Sequence, residues 1–421
     1  MTQPENKTTL DNGIRILTHD MPYSRSVSMG VLVNVGARDE LLIESGLSHF
    51  LEHMLFKGTK RRSAFQIAKE FDAMGGNTNA FTSMETTCCH AKVITSHTEA
   101  ITDLLSDIFL NSAFDPEEVE KEKPVIIQEI GMVEENPEDY IHVLTGHCCW
   151  GDNPLGSSVL GTRENILGFN TDNVKDYFIR RYQPQQTVIS IAGNIEHNHI
   201  MDIVGPAFES KGRGAGFPDR IAPEVKSGVN VYEKDLEQVH ICVSLKGLPI
   251  TDQKRYAFSL LNTLIGGNMS SRLFQEIRER RGLAYSVYSF ISSYTDTGMF
   301  GAYVAVDPGN AVEAADVIIK ELSRIKEHAV CSGELKDAIE YSKGCLLLAS
   351  ESTDNQMFRQ AQNEIHFGRF VPLDEVLSDI ESVKAEDILT LARNLFDPDN
   401  LAITILGPVS GENQFKNLLA I

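Results

Sequence analysis

The sequence predicts an α+β protein of two homologous sandwich domains, each a mainly antiparallel sheet packed with helices. Three observations carry this. At 421 residues and 46.7 kDa the chain exceeds what one hydrophobic core usually supports. Short runs of strand-period alternation are interleaved with helix-period runs, the order expected of layered α+β packing. The pattern also recurs at one fixed offset of 214 residues.

The repeat is visible at both ends of each half. Val27, Met29 and Val31 stand opposite Ile241, Val243 and Leu245, two period-two strand patterns. Val174 and Tyr177 match Ile388 and Leu391, and both helix-like runs lead into a proline, Pro184 and Pro398. Val188, Ile189, Ile191 and Gly193 then match Ala402, Ile403, Ile405 and Gly407. The expected domains are residues 1–210 and 225–421. Residues 211–224, which hold Lys211 to Gly216 and two prolines, read as a flexible linker. In the first half, 8–36 read as strands, 46–57 and 63–74 as helices, 78–95 as strands and 97–110 as a helix.

Composition narrows the functional classes. Apolar residues at 42% and charged residues at 23% are globular values. No apolar run approaches the roughly 18 residues of a membrane span. The start of the chain shows neither a secretory signal nor an Arg-rich transit pattern, so a cytoplasmic, bacterial-type location is expected. A net charge of −21 repels phosphate backbones and anionic lipid, which argues against nucleic-acid or membrane partners and favours basic or neutral ones. Seven cysteines without Cys-x-x-Cys spacing suit reduced thiols, buried in the case of the pairs Cys88-Cys89 and Cys148-Cys149. His197 and His199 fall in a polar turn and read as solvated, while His142, His147 and Trp150 receive no role.

His49-Phe50-Leu51-Glu52-His53 is the most informative segment. Leu47, Phe50, Leu51, Met54 and Leu55 space a largely buried helix, on which residues four apart share a face. Two imidazoles so placed can reach one zinc ion, and Glu52 on the same face stands where a general base belongs. The same five residues are also compatible with a buried helix holding two hydrogen-bonded histidines. A catalytic zinc needs a third ligand. Glu122 and Glu129, two helical turns apart among Val125, Ile126, Ile127 and Ile130, offer one. Asp115-Pro116 before them reads as an N-cap followed by proline at the first helical position. On residue grounds alone, Glu129 stands equally as a ligand or as part of a solvated acidic face, the reading that suits Glu117, Glu118 and Glu120.

Together, His49-Phe50-Leu51-Glu52-His53 and Glu129, 76 residues later, resemble the pitrilysin superfamily of inverted zincin metallopeptidases. Within it, the chain is similar to the mitochondrial processing peptidase β-subunit and related bacterial zinc peptidases. The likeness runs from Leu10-Asp11-Asn12-Gly13 to the C-terminus. It implies one Zn²⁺ per chain held by His49, His53 and Glu129, with Glu52 as general base and Glu122 as a supporting acid. Pro124 departs from the family's uninterrupted helix, and a kink there is expected to disturb Glu122 first.

Gly75-Gly76 leads into a β-prone run that by itself reads as an ordinary strand. The resemblance makes it a peptide-pairing edge, with Asn79, Ala80 and Phe81 lining the substrate. Arg278 and Tyr285, otherwise part of a basic helical face and its exit, are implied to contact the peptide carbonyl and the developing oxyanion. At the 214 offset His49 and His53 map to Thr263 and Gly267, so the second half carries no copy of the metal site. The implied activity is endopeptidase cleavage of extended or unfolded peptides, basic ones favoured, inside a closed chamber. The implied assembly is a homodimer, a heterodimer with a metal-free homologue being the alternative. A non-catalytic structural or regulatory subunit of the same fold is the rival reading.

Overall fold

The computed structural model describes residues 5–209, 212, 214, 217 and 219–419. Lys211, Arg213, Ala215, Gly216 and Pro218 of the expected linker lie outside the described residues. The strands are β1 (Glu5–Thr9), β2 (Arg15–Asp20), β3 (Ser26–Val33), β4 (Asn77–Thr82), β5 (Thr87–Ile94), β6 (Thr187–Gly193), β7 (Gly228–Glu233), β8 (Val239–Lys246), β9 (Ala284–Ser293), β10 (Gly298–Val306) and β11 (Ala402–Gly407). The first-half helices are α1 (Leu47–Leu55), α2 (Ala64–Met74), α3 (Thr98–Asn111), α4 (Pro116–Glu135), α5 (Pro137–Trp150), α6 (Arg163–Gly168), α7 (Thr171–Arg181) and α8 (His197–Glu209). They are followed by α9 (Arg255–Gly266), α10 (Ala311–Glu327), α11 (Ser332–Ser350), α12 (Thr353–Phe367), α13 (Leu373–Ser382), α14 (Ala385–Leu395) and α15 (Asn413–Lys416). Phe274–Arg280 is π-helical.

Two compact units result. The first gathers Met1–Gly131, Ser158–Asp219 and Leu347–Val371, and the second Met132–Ser157, Arg220–Leu346 and Pro372–Ile421. The first unit's sheet runs β1-β2-β6-β3-β5-β4 and the second's runs β7-β11-β8-β10-β9. Among the described residues β2–β6 and β7–β11 pair parallel, and the remaining neighbours are antiparallel. This is the mainly antiparallel α+β architecture that the alternating patterns imply. One face of the first sheet, through Val27, Met29 and Val31, joins a core with Phe50, Leu51, Ile101, Leu105 and Tyr177. In the second, Ile241, Val243 and Leu245 join Phe258, Leu261, Ile318 and Leu391.

The repeat reappears element by element. α7 and α14 occupy the same span shifted by 214 residues, and β3 and β6 correspond to β8 and β11. What the linear division into halves does not contain is a reciprocal exchange of helices. α12, late in the chain, covers the second face of the first sheet, and its Met357 and Ala361 bury Leu17, Leu32 and Val188. Gly30 makes this approach possible, since a Cβ there would lie 2.6 Å from the Met357 sulfur. α5, early in the chain, covers the equivalent face of the second sheet through Ile141 and Leu144 on Cys242, Tyr303 and Leu406. A sheet with two apolar faces needs a second layer, and the opposite half of the chain supplies it in each unit.

Candidate metal centre

The centre lies wholly within the first unit, on α1, α4 and β4. α1 begins after Gly46, whose backbone is left-handed at φ +98° and offers no side-chain cap. Glu40 replaces the cap. Its buried carboxylate accepts the backbone N–H of Gly46 at 2.8 Å and of Ser48 at 2.6 Å, satisfying donors that a helix start leaves open. Burial pushes its carboxyl up to about 8, against those same hydrogen bonds. The Ser48 hydroxyl meets the buried Tyr177 hydroxyl at 2.7 Å. Leu47, Phe50, Leu51, Met54 and Leu55 are buried, so the apolar stripe of α1 fixes its rotation and turns His49, Glu52 and His53 to the other side.

α4 runs without a break from Pro116 to Glu135 with Pro124 inside it. The expected disturbance of Glu122 does not occur. Glu122 is 4% exposed and doubly anchored, accepting from His53 Nδ1 at 2.8 Å and from Lys57 Nζ at 2.6 Å. Burial alone would raise its carboxyl, but the His53 and Lys57 hydrogen bonds hold it below the usual glutamate range. At the head of the helix the Asp115 carboxylate accepts from Glu117 N at 2.8 Å, as the Asp-Pro pair implies.

His49, His53 and Glu129 converge, each with a ligating atom within 4.8 Å of the others. His49 Nε2 lies 3.6 Å from one Glu129 oxygen and His53 Nε2 3.5 Å from the other. Zinc–ligand bonds of about 2.0–2.2 Å at tetrahedral angles separate ligand atoms by about 3.3–3.6 Å, so these two distances fit the ion. Three further details suit it. Burial, then the charge of His53, pushes His49 down to about 4, which keeps the ring neutral at neutral pH with Nε2 free to donate its lone pair. His53, donating through Nδ1 to Glu122, presents Nε2 in the arrangement of a carboxylate-oriented metal ligand. Glu129, with a side chain 39% exposed, leaves one side of the group open. Glu129 is therefore not the buried acid suggested by its apolar neighbours, since Val125 beside it is itself exposed.

Glu52 shares the centre. Its Oε2 accepts from the Thr82 hydroxyl at 2.6 Å. Burial raises its carboxyl above the ordinary value, with Glu129 adding to the rise and Thr82 and His53 opposing it. Thr82 ends β4, the terminal strand of its sheet. Strand alternation separates the three residues assigned to the substrate edge. Ala80 lies on the side of the α1 core, whereas Phe81 packs against the rings of His90 and Phe358, with Asn79 on that same side. Arg278 and Tyr285 belong to the second unit. There the guanidinium lies 4.5 Å from the Tyr285 ring centroid and donates to the Tyr285 carbonyl at 3.3 Å.

Comparison with known proteins decides the family. The profile described as insulinase, peptidase family M16, matches residues 15–163, and the peptidase M16 inactive domain matches 168–341. An uncharacterized zinc protease of Bacillus subtilis, YmxG, is 40% identical over 402 residues, 95% of this chain and 97% of that one. The chain belongs to peptidase family M16. Its M16 relatives include an uncharacterized zinc protease of Streptomyces coelicolor, 36% identical over 96% of this chain and 89% of that one. The M16 fold is seen as well in the crystal structure of a protease from Helicobacter pylori, with a TM-score of 0.89 at 20% identity, covering 96% of this chain and 99% of that one. The expected pitrilysin-superfamily membership is thus established. The inactive-domain match begins at residue 168 in the first half and extends over the part of the second half in which Thr263 and Gly267 stand at the offset positions of His49 and His53.

Several residues of the centre escaped the sequence reading. Lys57 is four residues after His53 and so carried a helical signal that went unused. Thr82 is visible only through the alternation that places it beside Ala80. Glu40 carries no local signal, because it caps a helix from six and eight residues away. His197, expected in solvent, instead bonds Thr8 at 2.8 Å and Thr18 at 2.9 Å through its two ring nitrogens. Among the described residues no helix is long and apolar enough to cross a membrane.

Proposed function

We propose that this chain is a zinc endopeptidase acting on extended or unfolded peptides, basic ones favoured by its charge of −21. The observation that carries the reading is the convergence of His49, His53 and Glu129 on one point, with the Glu52 carboxylate on the same helix face. Zinc in that position supplies Lewis acidity, polarising a peptide carbonyl and acidifying water. The residues of the chain divide the remaining work. His53, held by Glu122, and His49 would present their Nε2 atoms to the ion, and Glu129 would contribute the negative charge. Glu52 Oε1 takes the proton of the attacking water and returns it to the leaving amine nitrogen, a transfer favoured by a carboxyl that burial raises above its ordinary value. The outer edge of β4 offers backbone groups for pairing with an extended peptide, which suits substrates chosen by conformation more than by sequence. Arg278 and Tyr285 complete the proposal as the groups that hold the peptide carbonyl and the developing oxyanion.

The resemblance extends the proposal to one zinc per chain and a homodimer enclosing the peptide, a metal-free partner chain being the alternative assembly; sedimentation of the purified chain distinguishes them. The rival, a non-catalytic subunit, draws on the inactive-domain match over 168–341 and gives the His49–Glu129 set no task. The deciding experiment pairs elemental analysis with cleavage of a labelled unfolded peptide. Wild type binds zinc and cleaves, and Glu52→Gln keeps the zinc while losing at least about 100-fold in rate. A zinc-loaded wild type that cleaves no member of a peptide library would overturn the assignment.

A further inference from the structure

We infer that Thr82 is a positioning residue for Glu52, its hydroxyl holding Oε2 so that Oε1 is the oxygen turned to the reacting water. The inference rests on the peptidase reading and extends it to a residue outside the metal set. A glutamate side chain has three free torsions, and a base that can rotate spends part of its time misaligned. Thr82 has one hydroxyl proton and two acceptors near it, Glu52 Oε2 at 2.6 Å and the Ser48 carbonyl at 3.5 Å. The shorter, charge-assisted contact takes the proton.

Thr82 is itself firmly placed. It pairs with Thr87 across the β4–β5 hairpin, and the turn closes through Ser83 N to Thr86 O at 2.8 Å. The segment before α1 grips that turn. Ala37 N donates to Ser83 O at 3.1 Å, Arg38 N to Met84 O at 2.8 Å, and the buried Arg38 guanidinium to Glu85 Oε1 at 2.5 Å. Gly36 permits the contact, since a Cβ there would lie 2.3 Å from Ser83 O. Four residues after Gly36, Glu40 holds the start of α1. One stretch, residues 36–40, therefore fastens the strand bearing Thr82 and the helix bearing Glu52, and sets the distance between them. Because β4 is also the terminal strand of its sheet, a peptide pairing along it is bonded to the same strand that orients the base.

The test uses the zinc-loaded full chain. Thr82→Val removes the hydroxyl at nearly constant volume, and Thr82→Ser restores it. Thr82→Val is expected to lower kcat about 10- to 100-fold with KM and zinc content within about twofold, and Thr82→Ser to recover to within about fivefold of wild type. Independently of activity, crystal structures of wild type and Thr82→Val should show Glu52 in one rotamer in the first and displaced or split in the second. Should Thr82→Val fail to fold, Thr82→Ala takes its place with the same expectations. An unchanged kcat, an unmoved Glu52 carboxylate, or a serine variant as impaired as the valine one overturns the inference. A wild type without metal-dependent cleavage overturns the peptidase reading instead, and the crystallographic comparison then decides Thr82 alone.

Discussion

The Glu122 carboxylate accepts the Nδ1–H of His53 at 2.8 Å on one oxygen and the Lys57 ammonium at 2.6 Å on the other. A buried acid with this pair of partners is an orienting group, since it fixes the tautomer of the imidazole whose other nitrogen lies 3.5 Å from Glu129. Glu122→Gln keeps the volume and loses the charge. Zinc affinity is expected to fall about 10- to 100-fold in competition with a chromogenic chelator, with the ligands themselves intact. Affinity equal to wild type would remove Glu122 from the centre.

Removing the metal should leave the fold standing. The core of the first unit holds Val27, Met29, Phe50, Ile101 and Tyr177 at 0–1% exposure, and none of these depends on an ion. A bound ion at about 100 times its dissociation constant stabilises by about 2.7 kcal/mol. Chelation is therefore expected to lower the melting temperature while circular dichroism retains its helix signal. Loss of that signal at room temperature would instead mark a fold that requires zinc.

Acid stability should depend on a pair of aspartates on α3, Asp103 and Asp107. Arg62 Nη1 meets the fully buried Asp107 at 2.7 Å, and Arg61 and Arg62 both reach Asp103. Burial would raise Asp107, but hydrogen bonds from Arg62, Thr59 and Asn111 and the charge of Arg61 bring it below its ordinary value of 3.8. A depressed carboxyl stabilises the fold above its unfolded value and loses that contribution as pH falls through the folded one. Arg62→Gln is expected to cost about 3 kcal/mol at pH 7, and the gap from wild type in urea melts should close below about pH 4. A gap independent of pH would assign the cost to packing.

Gly36→Ala tests the grip on the β4–β5 turn. Its new methyl would meet Ser83 O at 2.3 Å, and backbone, not a flexible side chain, must yield. The expected cost is about 1–3 kcal/mol in thermal or urea unfolding. A neutral substitution would show that the turn shifts freely.

The charge of −21 bears on substrate preference. Attraction between an acidic protein and basic peptides is screened within a Debye length of about 10 Å at 0.1 M salt. Raising salt from about 0.05 to about 0.3 M is expected to lower kcat/KM for an Arg/Lys-rich peptide several-fold and to leave a neutral peptide of equal length nearly unchanged. Equal sensitivity of the two would dismiss the preference.

Much of this protein was determined by the sequence alone. The 214-residue repeat and its period-two strands specify two alike sheets, and the apolar spacing around His49 and His53 specifies a buried helix showing both rings on one side. Such signals are legible because they are local: burial of one face writes a periodicity into neighbouring residues. Tertiary structure decided the rest. Periodicity says that α5 and α12 each bury a face, but not that each buries it on the sheet of the opposite half of the chain. Nor could local pattern show that α4 runs unbroken through Pro124 and so brings both Glu122 and Glu129 to the histidines of α1, that Glu40 caps α1, or that Thr82 meets Glu52. The contacts of Glu122, Thr82 and Glu40 are hydrogen bonds between groups from separate segments, helix to helix, strand to helix and loop to helix start, that only the folded chain brings within 3 Å of one another.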